Sequence, residues 1–183
     1  MLLKILIGLV VVIVALVIVI ALRPSDFRIT RSATIAAPAG TIFPHVNDLH
    51  QWEAWSPWDK LDPNMKKTYE GAPSGVGASY SWTGNNQVGE GKVTITESRP
   101  SELVGLRLDF VKPFAGTNAV EFTFVPQGSD TVVTWTMTGK YNFVCKAIGL
   151  FMDMDKMCGD QFNQGLAQLK SVAEAKPTSA AKL

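Results

Sequence analysis

Residues 5–22 (ILIGLVVVIVALVIVIAL) form an unbroken apolar run with no charge, no proline and a single glycine. A helix rising about 1.5 Å per residue would carry this run across about 27 Å, close to the thickness of a bilayer core. It stops at Arg23-Pro24, where a charge and a helix breaker arrive together. Each Leu, Ile or Val favours insertion by roughly 0.3–0.6 kcal/mol at a helix centre, so the run totals several kcal/mol. A cleaved signal peptide is the competing reading, with Lys4 as its basic end and Val19-Ile20-Ala21 as a loose cleavage site. Signal cores span about 7–15 residues, however, and this run is longer. A buried core helix fits worse, because no position is polar enough to face water. The run therefore predicts a membrane protein with a single-pass anchor over residues 1–23. Orientation stays open. Arg23, Arg28 and Arg31 outnumber Lys4 and favour a cytoplasmic carboxyl side, while the short amino tail equally suits an anchor that exports the rest of the chain.

About 160 residues lie beyond the anchor, enough for one domain with a sizeable core. Pro24-Ser25-Asp26 reads as a linker over 24–26, residues 27–175 as the domain, and 176–183 (KPTSAAKL) as a small polar tail that frays. The net charge of +1 and the lack of a basic cluster speak against a nucleic-acid partner. The chain contains no Asn-x-Ser/Thr sequon, and its Ala-Lys-Leu ending is a poor peroxisomal address behind a membrane anchor.

Alternation of period two dominates the middle of the domain. Phe27, Ile29, Ala33 and Ile35 form a first strand. Further strands carry Val76, Ala78, Tyr80 and Trp82; Val93 and Ile95; Val104, Leu106, Leu108 and Phe110; Val120, Phe122 and Phe124; then Val133, Trp135, Met137 and Tyr141. Short gaps rich in Gly, Pro, Asn and Asp make neighbouring strands antiparallel. Residues 38–55 break the pattern, and Pro44 inside them predicts two short helices rather than one. From about Lys146 to Val172 the period becomes helical, with Phe151, Met154, Cys158, Phe162, Leu166 and Leu169 on one stripe that Gly159 is placed to divide. The expected order is a strand, two short helices, a run of about six strands and a long amphipathic helix, an α+β arrangement.

This order resembles the START-like, or SRPBCC, superfamily, in the branch of polyketide cyclase/dehydrase-like domains. The resemblance rests on Ile35-Ala36-Ala37-Pro38 leading to Ile42-Phe43 and Val46-Asn47-Asp48, on Trp52 and Trp55-Ser56-Pro57, on Gly75-Val76-Gly77 through Trp82, on Gly91 to Ile95, and on residues 131–139. It covers about Phe27 to Ala173, leaving the anchor as an addition. It implies a helix-grip fold, in which a curved antiparallel sheet surrounds a long carboxyl-terminal helix. It also implies an apolar cavity between the two for a lipid, polyketide or other hydrophobic molecule. It implies no shared reaction, because members include carriers, sensors, cyclases and partner-binding modules.

The residues themselves offer little chemistry. His45 and His50 are the only histidines, and a spacing of five across a helix break does not bring metal ligands to one face. No G-x-S-x-G elbow or phosphate loop occurs, and no cofactor is expected. Cys145 and Cys158, read on one straight helix, lie about 20 Å apart and are taken as buried free thiols. Glu97 is the one weak catalytic candidate. Strict alternation after Val93 and Ile95 aims it inward, where burial would raise its pKa, whereas its place at a strand end before Pro100 would leave it in solvent. Asp153 and Asp155 fall off the apolar stripe and read as solvated. Aromatic and sulfur-bearing residues are the distinctive set. Tyr80, Trp82, Ile95, Leu108, Phe110, Phe122, Trp135, Met137, Phe151 and Met154 are the expected ligand-lining residues, with core packing as the alternative. Trp52, Trp55 and Trp58 are expected to pack a helical turn. The functional expectation is a membrane-tethered domain holding a hydrophobic small molecule or lipid without turnover. Its alternatives are a cyclase/dehydrase-type enzyme and a protein-binding adaptor with a filled cavity.

Overall fold

A computed structural model describes residues 1–175, so the expectation for the 176–183 tail falls outside the described residues. The apolar run forms helix α1 (Leu2–Leu22), about 32 Å long at helical rise. Strand β1 (Asp26–Ile35) comes directly after it. Helix α2 (Ala39–Asn47), a 3-10 turn (Leu49–Ala54) and helix α3 (Pro57–Leu61) then cross to the far edge of the sheet. Strands β2 (Lys66–Gly71), β3 (Ala78–Thr83), β4 (Glu90–Arg99), β5 (Leu103–Lys112), β6 (Gly116–Gln127) and β7 (Asp130–Lys140) run back as a meander. Helices α4 (Phe143–Ile148) and α5 (Met154–Glu174) complete the described chain. All strand pairs are antiparallel, in the order β1-β7-β6-β5-β4-β3-β2. This is the expected α+β helix-grip fold with an apolar helix in front.

Two helical expectations are corrected. Pro44 does not end a helix but lies inside α2; residues 38–55 hold two helical pieces as expected, and α3 follows outside that range. The break comes at Asp48, whose carboxylate accepts the His50 backbone N–H at 3.0 Å and starts the next turn. The carboxyl-terminal stripe is divided not at Gly159 but between α4 and α5. There Gly149 caps α4, and the Asp153 carboxylate accepts the Lys156 N–H at 3.0 Å as the N-cap of α5. Cys145 and Cys158 accordingly sit on different helices; both are free, and both are half-buried rather than fully buried.

The inner face of the sheet carries Ile29, Tyr80, Trp82, Ile95, Val104, Phe122, Val133 and Trp135, all buried. Ile42, Val46, Trp52 and Trp55 cover it from the amino-terminal helices, and Phe162, Leu166 and Leu169 from α5. Helix α5 is laid along β1 by polar ties at both ends. Arg31 donates to Asp155 at 2.8 Å, Lys170 donates to the Thr34 carbonyl at 2.7 Å, and the Ala36 N–H donates to Glu174 at 2.6 Å. Gly159 and Gly165 permit this approach. A Cβ at Gly159 would overlap the Arg31 guanidinium, and one at Gly165 would meet the Trp135 ring at 2.8 Å and Pro57 at 3.1 Å.

Candidate functional site

The space between sheet and α5 has two unlike halves. In the first, aromatic rings interlock. Trp135 stacks on Phe162 (centroids 4.2 Å, planes 4° apart) and lies 4.6 Å from Phe122 and 5.7 Å from Trp55. Trp58 closes the group at 5.5 Å from Trp135. The Trp52 and Trp55 indole N–H groups donate at 2.9 Å to the carbonyls of Val46 and His45, which ties the 3-10 turn back onto α2. The buried Trp135 N–H has no hydrogen-bond partner among the described residues. Six of the ten expected lining residues (Tyr80, Trp82, Ile95, Phe122, Trp135 and Met137) lie within this core, each 8 % exposed or less.

The second half, at the end of the sheet nearest α1, is less completely buried. Leu108 and Phe110 are only partly buried there, as is Phe27, which stacks on Tyr141 at 4.4 Å. Between this sheet end, the last turn of α1 and the α4–α5 connection lies a pocket of about 550 Å³. Its walls include Tyr141, Leu150, Phe151, Met152 and Met154, with Arg23 and Lys146 at the α1 side and Asp26, Asp153 and Asp155 opposite. Phe151 and Met154, the last two expected lining residues, thus stand in this pocket rather than with the other eight. Phe151 is 86 % exposed. Sequence separates Arg23 from Phe151 by most of the domain; the antiparallel pairing of β1 with β7 brings them together.

Two carboxylates at the pocket are already engaged. Asp155 holds Arg31, and Asp153 caps α5. Both carboxylates are exposed, as their place off the apolar stripe predicts. Their partners were not predicted, because the first of them depends on α5 starting directly over β1. Burial pushes the Cys158 thiol and the Tyr141 hydroxyl above their ordinary ranges, so neither is an activated nucleophile or base at neutral pH.

Glu97 stands on the outer face. A register shift between Ile95 and Glu97 inserts one residue into β4, so Glu97 pairs with Gly105 while Ser98 takes the next inward position beside Val104. Glu97 is exposed and pairs with Arg99 at 3.1 Å. His50 also faces outward; it contacts the Asp48 carboxylate at 3.1 Å and stacks on Tyr69 at 4.1 Å.

Reasoning from sequence missed Lys67. It lies on the inner side of β2 opposite Trp82, with its ammonium nearly buried. That ammonium pairs with Asp59 of α3, lies 3.7 Å from Glu53, and sits 5.4 Å above the Tyr80 ring. Burial, with Asp59 adding to it, pushes the Tyr80 hydroxyl far upward, and burial beside Glu53 pushes Tyr69 up to about 12. The inward positions of β2 are Lys67 and Tyr69, so no apolar alternation marks that strand in the sequence.

Comparison with known proteins fits this geometry. Residues 26–174 match the family described as polyketide cyclase / dehydrase and lipid transport. The chain belongs to that family. No curated protein matches the sequence significantly. Among solved structures, protein CV1439 from Chromobacterium violaceum is similar at a TM-score of 0.60 and 15 % identity, over 84 % of this chain and 100 % of that one. The Aha1 dimer from Colwellia psychrerythraea gives 0.58 and 16 %, over 81 % and 97 %. The di-domain ARO/CYC BexL from the BE-7585A biosynthetic pathway gives 0.62 and 15 %, over 86 % of this chain and 53 % of that one. At these identities the neighbours attest the fold alone. The family domain thus occupies residues 26–174, here preceded by one apolar helix.

Proposed function

We propose that this family member is a membrane-anchored binding domain that holds a hydrophobic small molecule or lipid and does not transform it. Helix α1 is the anchor, and residues 27–175 are the cup. The observation that carries the reading is the position of the 550 Å³ pocket. It lies between the end of α1, the start of β1 and the α4–α5 connection, so a ligand leaving the bilayer has a short path to Phe151, Met154 and Tyr141. Its apolar walls, Leu150, Phe151, Met152 and Met154, suit the chain of a lipid-like guest, and Arg23 and Lys146 suit a polar head. Binding without turnover is supported by the state of the polar groups. The nearby carboxylates are engaged, the Cys158 thiol is held protonated, and Glu97 lies on the other face.

Native mass spectrometry on the full chain, extracted in a mild detergent and stripped of it in the gas phase, tests the proposal. The expected result is a retained hydrophobic adduct of defined mass, lost when Met154→Arg places a charge in the pocket. A bare protein from several hosts and extraction conditions would overturn the binding reading. An adduct that is chemically altered by wild-type protein but not by Lys67→Met would favour the enzyme instead.

A further inference from the structure

We propose that α4 and the turn behind it form a second membrane contact, lying in the headgroup layer beside the end of α1. The proposal rests on the reading of α1 as a bilayer-spanning helix.

Helix α4 buries none of its residues. Its outer side carries Phe143 and Val144, 49 % and 44 % exposed, and the same spacing continues one turn further to Phe151 and Met152, 86 % and 47 % exposed. Backbone bonds from the Phe151 and Met152 N–H groups to the Ile148 carbonyl, at 3.0 and 3.1 Å, prolong the helical sense of α4 through this turn. Steps of four therefore align Phe143, Ala147 and Phe151, and beside them Val144, Ile148 and Met152. Cys145, Lys146, Gly149 and Leu150 line the pocket, which Phe151 and Met152 also border. The segment thus exposes four large apolar side chains, Phe143, Val144, Phe151 and Met152, with Lys146 as its one charged residue. Elsewhere on the domain the exposed large apolar side chains are Val76, Val125 and Met157, each alone, and the pair Val111 and Phe114 at the β5–β6 hairpin.

Helix α1 places this apolar side against lipid. Ile20, in its last turn, is its one buried residue, and the Lys146 ammonium donates to the Ala21 carbonyl at 3.4 Å. If residues 2–22 cross the hydrocarbon core, Ala21 lies at its boundary, and α4 lies at the same depth. Arg23 and Lys146 then stand at the level of lipid phosphates, with the Phe143–Met152 stripe dipping below them. An amphipathic segment with cations at its edge and aromatic residues on its apolar side binds in this layer. Its consequence for the proposed function is geometric: the pocket is held against the bilayer instead of swinging on the three-residue link 23–25.

Nitroxide labels on the full chain decide the matter. In a Cys145→Ser, Cys158→Ser background, single cysteines are placed by Phe151→Cys, Met152→Cys, Ile13→Cys and Val76→Cys. The proteins are set one per nanodisc in phosphatidylcholine with a quarter phosphatidylglycerol. Collision rates with oxygen and with a water-soluble nickel chelate give depth. The labels at 151 and 152 should show an oxygen-to-nickel ratio severalfold above that at 76 and approaching that at 13. If 151 and 152 match 76 while 13 is immersed, this inference falls and the anchor stands. If 13 is itself water-exposed, the anchor reading falls and takes the inference with it. Dipolar broadening at 151 in vesicles that vanishes on dilution with unlabelled protein would assign the patch to a second copy and overturn the proposal. Because these side chains are exposed, unchanged near-ultraviolet dichroism is expected for every variant.

Discussion

Gly159 and Gly165 are both buried on α5, yet alanine should have different effects at the two positions. In either place the substitution recovers about 1 kcal/mol of helix propensity. At Gly165 the new methyl meets the Trp135 ring at 2.8 Å and Pro57 at 3.1 Å. Neither can yield easily, because Trp135 is clamped between Phe162 and Phe122 and Pro57 opens α3. Overpacking of this kind costs about 1–3 kcal/mol, so Gly165→Ala should destabilise by about 1 kcal/mol net. At Gly159 the obstacle is the guanidinium of Arg31, the free end of a flexible side chain. Displacing it forfeits a pair with Asp155 that is largely open to water, worth about 0.5 kcal/mol. Gly159→Ala should therefore be neutral or stabilising by a few tenths of a kcal/mol. The assay is urea unfolding of the full chain in dodecylmaltoside, followed by tryptophan fluorescence, which also reports on the Trp135 stack. The two variants should differ by about 1–1.5 kcal/mol with unchanged slope. Equal stabilities, or a larger loss at 159, would refute the account of how α5 is seated on the sheet.

Three further outcomes can be checked directly. Glu97→Gln should alter unfolding free energy by less than about 0.5 kcal/mol and leave any retained adduct in place, since it breaks only an exposed pair with Arg99; loss of the adduct would contradict its outward placement. Burial tends to raise the Asp48 pKa, but hydrogen bonds from His50 and Gln51 outweigh it and hold the carboxyl below its ordinary value. Its stabilising contribution is therefore present above the unfolded-state pKa of about 3.9 and is lost as pH falls through the lower folded value. Denaturation midpoints between pH 5 and pH 2 should accordingly fall less steeply for Asp48→Asn than for the wild type, and parallel curves would refute the assignment. Burial raises the Cys158 thiol, so iodoacetamide at pH 8 should modify it more slowly than it modifies the same cysteine in the urea-unfolded chain; equal rates would show that α5 opens at its amino end.

The architecture was legible because both of its periods are strong. Alternation along residues 27–35 and 104–110, and the helical stripe of Phe162, Leu166 and Leu169, each require one buried face, which leaves few ways to stack them. The edge strand β2 was not legible, because a strand that buries Lys67 and Tyr69 carries no apolar signal. Glu97 lies in solvent, the second of its two readings, but for a reason other than its place near the strand end. The inserted residue in β4 arises from how that strand pairs with β5, and a one-residue shift reverses every later side chain. The Lys67–Asp59 pair and the Arg31–Asp155 pair likewise join residues whose nearness is a product of the sheet order.

By itself the sequence determined the apolar helix, the α+β class and the family resemblance. All three depend on periodicity and composition, which are local properties of the chain. Tertiary structure alone decided that the tryptophan cluster fills the sheet–helix space and that an opening lies beside it, between the end of α1 and the α4–α5 connection. It also decided that Phe151 and Met154 face that opening beside the end of α1. Such assignments depend on which surfaces meet after β1 pairs with β7 and α5 closes over them, and long-range contacts of that kind leave no periodic trace in the chain.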